Sequence, residues 1–270
     1  MTRTVTAMVL ALVLATTGGV SGAAEPPDAD VIVERMIEAV GGAGLADAEV
    51  IRLEVVEEKI RNDGTSSENS YVAYVDLSSL DNLRIELPGD IVLGRNSGEG
   101  WATNQGVFDD RPQTPKMASG TLNQSLFPLL LPYSLQMEGV WVKEVSEITW
   151  EGEEAWALIL PFVKGFFTSP ILTTTWRVVV DKDDYSLLGA DFLPPVDLQS
   201  VQPMGVRYRF LKYDDVGGVK IPSRVLAVGI NLEGLESGAT RVTRIVPTAY
   251  GPWEAGLFVS PARLEALEGE

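Results

Sequence analysis

Hydrophobic and polar residues alternate along most of the chain after residue 50, and this alternation predicts its secondary structure. In the stretches 51–55, 83–87, 176–180 and 206–210, every second residue is apolar, and most of the residues between them are polar. Such a period of two is typical of antiparallel strands that bury one face. Further strands are predicted at 69–77, 90–95, 101–104, 140–149, 155–160, 187–193, 219–229 and 239–248. Turn-forming residues separate the stretches, so the pattern predicts a sheet built from hairpins.

A different period precedes the strands. From about Asp28 to Val40 the apolar residues recur at spacings of three and four, which predicts an amphipathic helix. Asp28 or Asp30 can cap its first turn, and Gly41 followed by Gly42 can end it. The apolar stripe consists of Ile32, Val33, Met36, Ile37 and Val40. We expect this stripe to pack against the sheet.

Residues 1–24 have the composition of a secretory signal peptide. Arg3 supplies a positive start, an apolar run follows, and 20–24 contains small residues suited to cleavage before Glu25. The chain has no cysteine that could carry a lipid. We therefore expect residues 25–270 to form one exported domain without a stable membrane anchor.

Two apolar segments interrupt the strands. A polar loop is predicted at 105–120, and the apolar segment 121–137 follows it. Pro128 and Pro132 bar this segment from a central strand and from one long helix, so two short helical turns fit it better. The second segment, 161–174, contains three phenylalanines. Because connections in compact domains are usually short and polar, we expect both segments to cover another surface.

The composition excludes several kinds of chemistry. The chain contains no histidine and no cysteine, and its formal net charge is −17. A Ser–His–Asp triad, histidine metal sites, disulfides and zinc–thiolate sites are therefore impossible. The negative charge also argues against a nucleic-acid partner, because binding phosphate requires a positive field.

Acidic clusters are the remaining candidates for catalysis. They occur at 109–110, 151–154, 181–184 and 214–215, mostly at predicted turns, where aspartate is favoured for local hydrogen bonding. None has the spacing of a calcium-binding loop, and no nucleotide-binding or serine-nucleophile motif occurs. We therefore predict no catalytic residues, no metal site and no cofactor.

Large apolar side chains are the main candidates for function. Each of them could be ordinary core, but a sheet curled over one short helix leaves a concave apolar surface, and such surfaces bind apolar ligands. The proline-broken segment could close that surface as a lid, opposite Trp101, Trp141 and Trp176. The candidate cavity and lid residues are Trp101, Leu126, Phe127, Leu130, Leu131, Tyr133, Trp141, Phe162, Phe166, Phe167, Trp176, Tyr208 and Phe210.

Several short stretches, taken in order, fit one family. They are the opening helix 31–42, the first strand 50–60, the hairpin NSGEGW at 96–101, the LFPLLLP-containing segment 118–141, the hairpin 178–192 and the closing VGGVKIPSR at 216–224. This order resembles the LolA-like family of periplasmic lipoprotein carriers and outer-membrane lipoprotein-sorting proteins. The resemblance implies an α+β, mainly antiparallel fold: an unclosed half-barrel of about eleven strands wrapped over a helix, with a short helical lid. It also implies a hydrophobic cavity that holds acyl chains.

One stretch departs from that family. The carriers have a basic residue followed by proline between their second and third strands, which helps to latch the lid. The matching stretch here is Leu77–Asp81, with the sequence LSSLD. The resemblance therefore supports the fold more strongly than it supports lipoproteins as the cargo.

Three hypotheses for function follow. The first is a periplasmic or secreted protein that binds lipid, lipoprotein acyl chains or another apolar small molecule, with an envelope protein as a further candidate partner. The second is a structural or interaction protein of the cell envelope with the same fold and no ligand. The third is a hydrolase that uses carboxylates, for which no positive sign is present.

Overall fold

The structure is a computed structural model that describes residues 26–42, 50–162, 166–167, 175–193, 204–231, 234–251 and 256–268. The predicted signal peptide, residues 1–24, lies outside the described residues. No helix within the described ranges is long and apolar enough to cross a membrane.

The predicted opening helix is present as α1, Ala29–Ala39. Asp28 is its N-cap, and the Asp28 side chain accepts a hydrogen bond from the backbone N–H of Asp30. Gly41 ends the helix at a φ of +92°, where a side chain would collide with the Gly218 carbonyl oxygen. The side chains that α1 and its C-cap bury are Ile32, Met36, Ile37 and Val40.

The described residues contain thirteen strands. They are β1 (Val50–Ile60), β2 (Ser66–Asp76), β3 (Leu83–Leu87), β4 (Ile91–Asn96), β5 (Glu99–Asn104), β6 (Val107–Phe108), β7 (Glu144–Trp150), β8 (Glu153–Pro161), β9 (Thr175–Asp181), β10 (Leu187–Leu193), β11 (Met204–Val216), β12 (Val219–Asn231) and β13 (Glu236–Tyr250). Two more helices are present, α2 (Thr114–Leu126) and α3 (Pro261–Glu268), together with a short 3-10 helix at Tyr133–Gln136.

All thirteen strands lie in one antiparallel sheet, in the order β6-β5-β4-β3-β2-β1-β13-β12-β11-β10-β9-β8-β7. The first and the last strand along the chain are neighbours inside the sheet: β1 pairs with β13, from Val50 opposite Tyr250 to Ile60 opposite Thr240. The edge strands β6 and β7 do not pair with each other in this order, so the half-barrel is unclosed. The predicted fold class is confirmed, although the sheet has thirteen strands where about eleven were expected.

The alternation fixes which side chains share a face. Leu83 and Ile85 of β3 lie in the main hydrophobic core, and so do Ala73 and Val75 of the neighbouring β2. The same core contains α1 and the apolar segment after α2. We call the sheet face that carries these elements the concave face, and the opposite one the convex face.

The convex face carries a second, smaller cluster. Tyr74, which alternates with the core residues of β2, packs there with Val50 and Phe258. The Arg84 side chain holds the same C-terminal segment by donating to the Leu257 carbonyl at 3.0 Å. Leu257 and Phe258 are therefore attached to the outside of the half-barrel, on its N-terminal strands.

Candidate functional site: the lidded concave face

The candidate site is the concave face together with residues 114–137, which we call the lid. Its helix α2 begins at Thr114, so the predicted polar loop at 105–120 was wrong over its second half; β6 also lies within that loop. Pro115 lies in the first turn of α2, where a fixed φ and a missing N–H are compatible with a helix. The helix ends two residues before Pro128.

The lid buries its apolar side chains in the main core. The buried lid side chains after the middle of α2 are Leu122, Leu126, Phe127, Leu129, Leu130, Leu131, Tyr133, Leu135 and Met137. Pro128 and Pro132 keep the lid segment out of the sheet, as the sequence predicts, so the lid docks by side-chain packing. Burial of each large apolar side chain contributes roughly 1.5–3 kcal/mol, which accounts for the docked position.

Phe127 lies at the centre of the docked lid. Its ring is fully buried, and it meets the rings of Phe162, Phe166, Phe167 and Trp176 edge-on, at centroid distances of 5.2, 6.1, 5.9 and 5.1 Å. Such edge-to-face pairs are favourable beyond the area that they bury. The lid helix, the connection after β8 and strand β9 therefore meet at one ring.

The aromatic cluster continues along the concave face. Trp176 stacks on Tyr208 with a centroid distance of 5.1 Å, and Phe210 of the same strand packs partly buried against the main core. The structure thus brings together eleven of the thirteen candidate residues: Leu126, Phe127, Leu130, Leu131, Tyr133, Phe162, Phe166, Phe167, Trp176, Tyr208 and Phe210. Their role as ligand contacts stays a prediction.

Trp101 is not on this face, and its predicted place opposite the lid was wrong. It pairs with Gly94 of β4, whose neighbour Leu93 packs against the main core, so Trp101 points to the convex face. A side chain at position 94 would lie 2.1 Å from the indole ring, so the glycine makes room for it. The indole N–H donates to the Phe258 carbonyl at 2.7 Å, which fixes the C-terminal segment.

The predicted place of Trp141 was also wrong. The strand expected at 140–149 begins only at Glu144, and its neighbours Val140 and Val142 are the residues that pack against the main core. Trp141 precedes the strand and is 44% exposed. It belongs to the surface and not to the cover of the concave face.

A buried arginine that the sequence analysis missed joins the lid to the sheet. Arg95 of β4 donates through Nη1 to Asn123 Oδ1 of α2 at 2.7 Å. Asn123 in turn donates to the Phe166 carbonyl at 2.8 Å. We call Arg95 and Asn123 the latch. A signal was present in the sequence, since Arg95 shares its strand face with Ile91 and Leu93 and is a charge in an apolar stripe.

The latch arginine also contacts the turn where the family resemblance breaks down. Arg95 Nη2 donates to the carbonyl of Leu80, in the Leu77–Asp81 stretch that lacks a basic residue. Burial lowers the pKa of Arg95, and the charges of Asp81 and Glu138 oppose that shift. The cation is thus held by neutral amide and carbonyl oxygens and not by a carboxylate.

A second polar contact joins the lid to α1. The Tyr133 hydroxyl lies 2.8 Å from the Val40 carbonyl, which follows α1, and 3.2 Å from the Lys220 carbonyl of β12. Its pKa is raised, chiefly by burial. The lid is therefore tethered at two points, by Asn123 to β4 and by Tyr133 to the residue after α1 and to β12.

The outer margin of the lid is open. A groove of about 250 Å³ lies between α2 and strands β4 and β5, and Ile91, Leu93, Ala102 and Met117 contribute its apolar side chains. Met117 is 56% exposed, on the side of α2 that faces away from the core. The groove leads from the surface toward residues of the concave face.

The two buried carboxylates in the described ranges have structural partners. Asp76 accepts hydrogen bonds in the turn after β2, including that of the Ser78 backbone N–H at 3.0 Å. Asp191 lies on the convex face between Arg177 and Arg207. Within the described residues, no group of three or more acidic side chains is placed to hold a metal ion.

Solved structures share this architecture. The sequence matches no protein-family model and no curated protein. A LolA superfamily protein from Nitrosomonas europaea superposes with a TM-score of 0.58 at 13% identity, over 88% of this chain and 100% of that one. A DUF1329 family protein from Desulfovibrio piger gives a TM-score of 0.54 at 13% identity, over 86% of this chain and 98% of that one.

The fold is LolA-like. At this level of identity the similarity concerns the arrangement of the chain, an unclosed antiparallel sheet with a few helices. The ligand must be argued from the side chains of this protein.

Proposed function

We propose that this protein is an exported carrier or binding protein that takes up an acyl chain, or a similar apolar ligand, between the lid and the concave face. The observation that carries the proposal is the position of Phe127, a ring on a non-sheet segment that fills the centre of an aromatic cluster. An acyl chain could replace this ring with contacts of the same apolar kind. Lipids and lipoprotein acyl chains are the ligands that such a surface fits.

The way the lid is attached supports reversible opening. The lid contributes no strand to the sheet order, and the latch and the Tyr133 hydroxyl are two of its polar attachments. Side-chain contacts of this kind can open locally without disrupting the strand ladders. The groove beside Met117 is the place where we expect a chain to enter, because it lies between α2 and the strands that the lid covers.

The proposal includes the processing and location of the protein. Residues 1–24 would be removed on export, and residues 25–270 would act as one LolA-like domain in the periplasm or outside the cell. Amino-terminal sequencing of the exported protein should give a start near Ala24 or Glu25. Recovery of an uncleaved, membrane-bound form would contradict this part.

Uptake of a dansyl-labelled fatty acid tests the proposed function. The wild type should bind the probe with a blue shift in its emission. Phe127→Asp should lose most of its uptake under conditions where unfolding curves show that the variant is still folded. Phe258→Asp is the matched control, because Phe258 is equally buried but lies on the convex face. It should leave uptake unchanged in the folded fraction.

A latch variant keeps the test valid if Phe127→Asp fails to fold. Asn123→Ala removes the acceptor of Arg95 Nη1 and the donor to the Phe166 carbonyl. Uptake should become faster, because the lid opens more often. If the wild type takes up no acyl probe and Asn123→Ala does not change this, the carrier function is refuted.

One observation favours the structural alternative. The lid side chains form one continuous core with α1 and the sheet, and Phe127 is fully buried in it. A lid that never opens would make this an envelope interaction protein with a LolA-like fold. Hydrogen exchange separates the two functions, because a permanent lid would exchange its α2 amides only on global unfolding.

A further inference from the structure

Several buried hydrogen-bond donors of the concave face have no acceptor within the described part of the chain, among them Nε of Arg95 and the hydroxyl of Tyr213. Two others are the indole Nε1 of Trp176 and the hydroxyl of Tyr71, and these two residues are only 2% and 7% exposed. Buried polar groups in folded proteins are nearly always hydrogen-bonded, so each exception requires an explanation. Both residues belong to the main core that the lid covers.

Three more polar side chains adjoin these donors. Tyr208 stacks on Trp176, and its hydroxyl lies 3.3 Å from Nη2 of Arg241. Nη1 of Arg241 lies 3.7 Å from Glu57, too far for a hydrogen bond. Burial raises the pKa of Tyr71, and the charge of Glu57 adds to this, so that the phenol remains a proton donor at neutral pH. We call Glu57, Tyr71, Trp176, Tyr208 and Arg241 the polar end of the concave face.

The polar end follows directly from the aromatic cluster under the lid. Phe127 contacts Trp176, Trp176 stacks on Tyr208, and Tyr208 contacts Arg241. The side chain of Arg241 is 36% exposed, so this row runs from the fully buried lid toward solvent. Lys59 lies directly opposite Arg241 in the β1–β13 register and adds a second cation on the same face.

We propose that the polar end binds the head group of an acyl ligand through an anionic oxygen, while the acyl chain lies under the lid. This inference rests on the proposed function and specifies its ligand class. Trp176, Tyr71 and Arg241 offer N–H and O–H donors, so the complementary group must supply acceptors. Arg241 and Lys59 together exceed the single charge of Glu57, which favours an anion such as a carboxylate or a phosphate.

Ligand competition against a neutral fluorophore, N-phenylnaphthylamine, tests this inference. The competitors are palmitate, lysophosphatidylglycerol with the same acyl chain, and methyl palmitate, which is neutral. The wild type should bind the two anions more tightly than the ester. Arg241→Met should weaken binding of the anions by about tenfold or more, since a hydrogen bond to a charged group is lost, and should leave the ester unchanged.

Two further variants separate ligand binding from folding. Arg244→Met is the matched control, because it removes the same charge from the same strand at a position where Arg244 pairs with Glu58 and Glu68 at the surface. It should leave all three competitors unchanged. Glu57→Gln should tighten binding of the anions, because it removes a competing charge beside Arg241, and a variant that only damaged the fold would not do so.

The outcomes are distinct for the two proposals. If Arg241→Met affects only palmitate or only lysophosphatidylglycerol, the head group is a carboxylate or a phosphate, respectively. If the wild type binds all three competitors equally, or Arg241→Met and Arg244→Met weaken the anions equally, the head-group site is refuted while the carrier function stands. If neither the fluorophore nor any competitor binds, both proposals fail.

Discussion

The two faces of the sheet differ in how their charged and polar side chains are compensated. On the convex face the charges pair with each other: the fully buried Asp191 lies between Arg177 and Arg207, and Arg209 pairs with Glu151. Although Nε of Arg177 lacks an acceptor, the charge of its guanidinium group is compensated. The Arg207 guanidinium also lies 4.3 Å from the centre of the Trp150 ring.

On the concave face the corresponding compensation is incomplete. Within the described residues, Trp176 and Tyr71 have buried donors without acceptors, and Arg95 is a buried cation that neutral oxygens hold and whose Nε has no acceptor. The buried charges of the convex face are thus paired within the protein, whereas several buried donors of the concave face are left for the ligand that we propose. The four predictions below test this difference.

The largest difference in stability loss should be found between truncation of a core residue of the sheet and truncation of one in the lid. Leu158→Ala, in the buried strand β8, should lower the free energy of unfolding by about 2–5 kcal/mol. Phe127→Ala should lower it by less, although the ring is larger, because opening of the lid limits the loss. Urea denaturation of both variants measures this. Equal or greater loss in Phe127→Ala would mean that the lid is permanent core.

Removing the buried acid of the convex face should have the next largest effect. Asp191→Ala should cost about 3 kcal/mol, because it leaves Arg177 and Arg207 without their shared partner. Glu54→Ala, at an exposed pair with Arg52, should cost less than about 1 kcal/mol. Neither should alter acyl-probe affinity. Changed affinity in Asp191→Ala would show that the two faces are not independent.

Alkaline pH should lower the stability of the protein through buried phenols of the concave face. Burial raises the pKa of Tyr71 and of Tyr213, whereas in the unfolded chain these phenols ionise near pH 10. Their contribution to stability is therefore present below that pH and is lost as the pH rises toward the folded pKa. Unfolding curves should be measured from about pH 8 to pH 11, a range that brackets the ordinary phenol pKa. The free energy of unfolding should fall less with rising pH in Tyr71→Phe than in the wild type. An identical pH dependence would contradict the burial of an unpaired phenol.

The smallest expected change in stability is the one caused by removing a single tyrosine hydroxyl at neutral pH. Tyr133→Phe should cost about 0.5–1.5 kcal/mol, because the hydroxyl bonded to the Val40 carbonyl is lost. Tyr71→Phe should be neutral or slightly stabilising, because its hydroxyl has no partner to lose among the residues that the structure describes. Thermal unfolding of the two variants provides the measurement. A clear loss in Tyr71→Phe would reveal a partner for the hydroxyl and weaken the head-group inference.

The sequence by itself determined the faces within each element and the segments that stay out of the sheet. The alternation in 83–87 places Leu83 and Ile85 on one side whatever the tertiary structure. Pro128 and Pro132 exclude the lid from the strands because proline lacks a ladder donor. The α1 stripe and its Asp28 cap follow from local spacing in the same way. These properties depend only on neighbouring residues.

The tertiary structure decided which face of each strand is covered, and what lies against it. Trp101 and Ala102 occupy opposite faces by alternation, but only the pairing of Trp101 with Gly94 and the docking of Phe258 make the tryptophan face convex. The partners of Arg95 are 15 and 28 residues away along the chain. Such contacts depend on register and curvature summed over many strands, and a local pattern of period two contains no information about either.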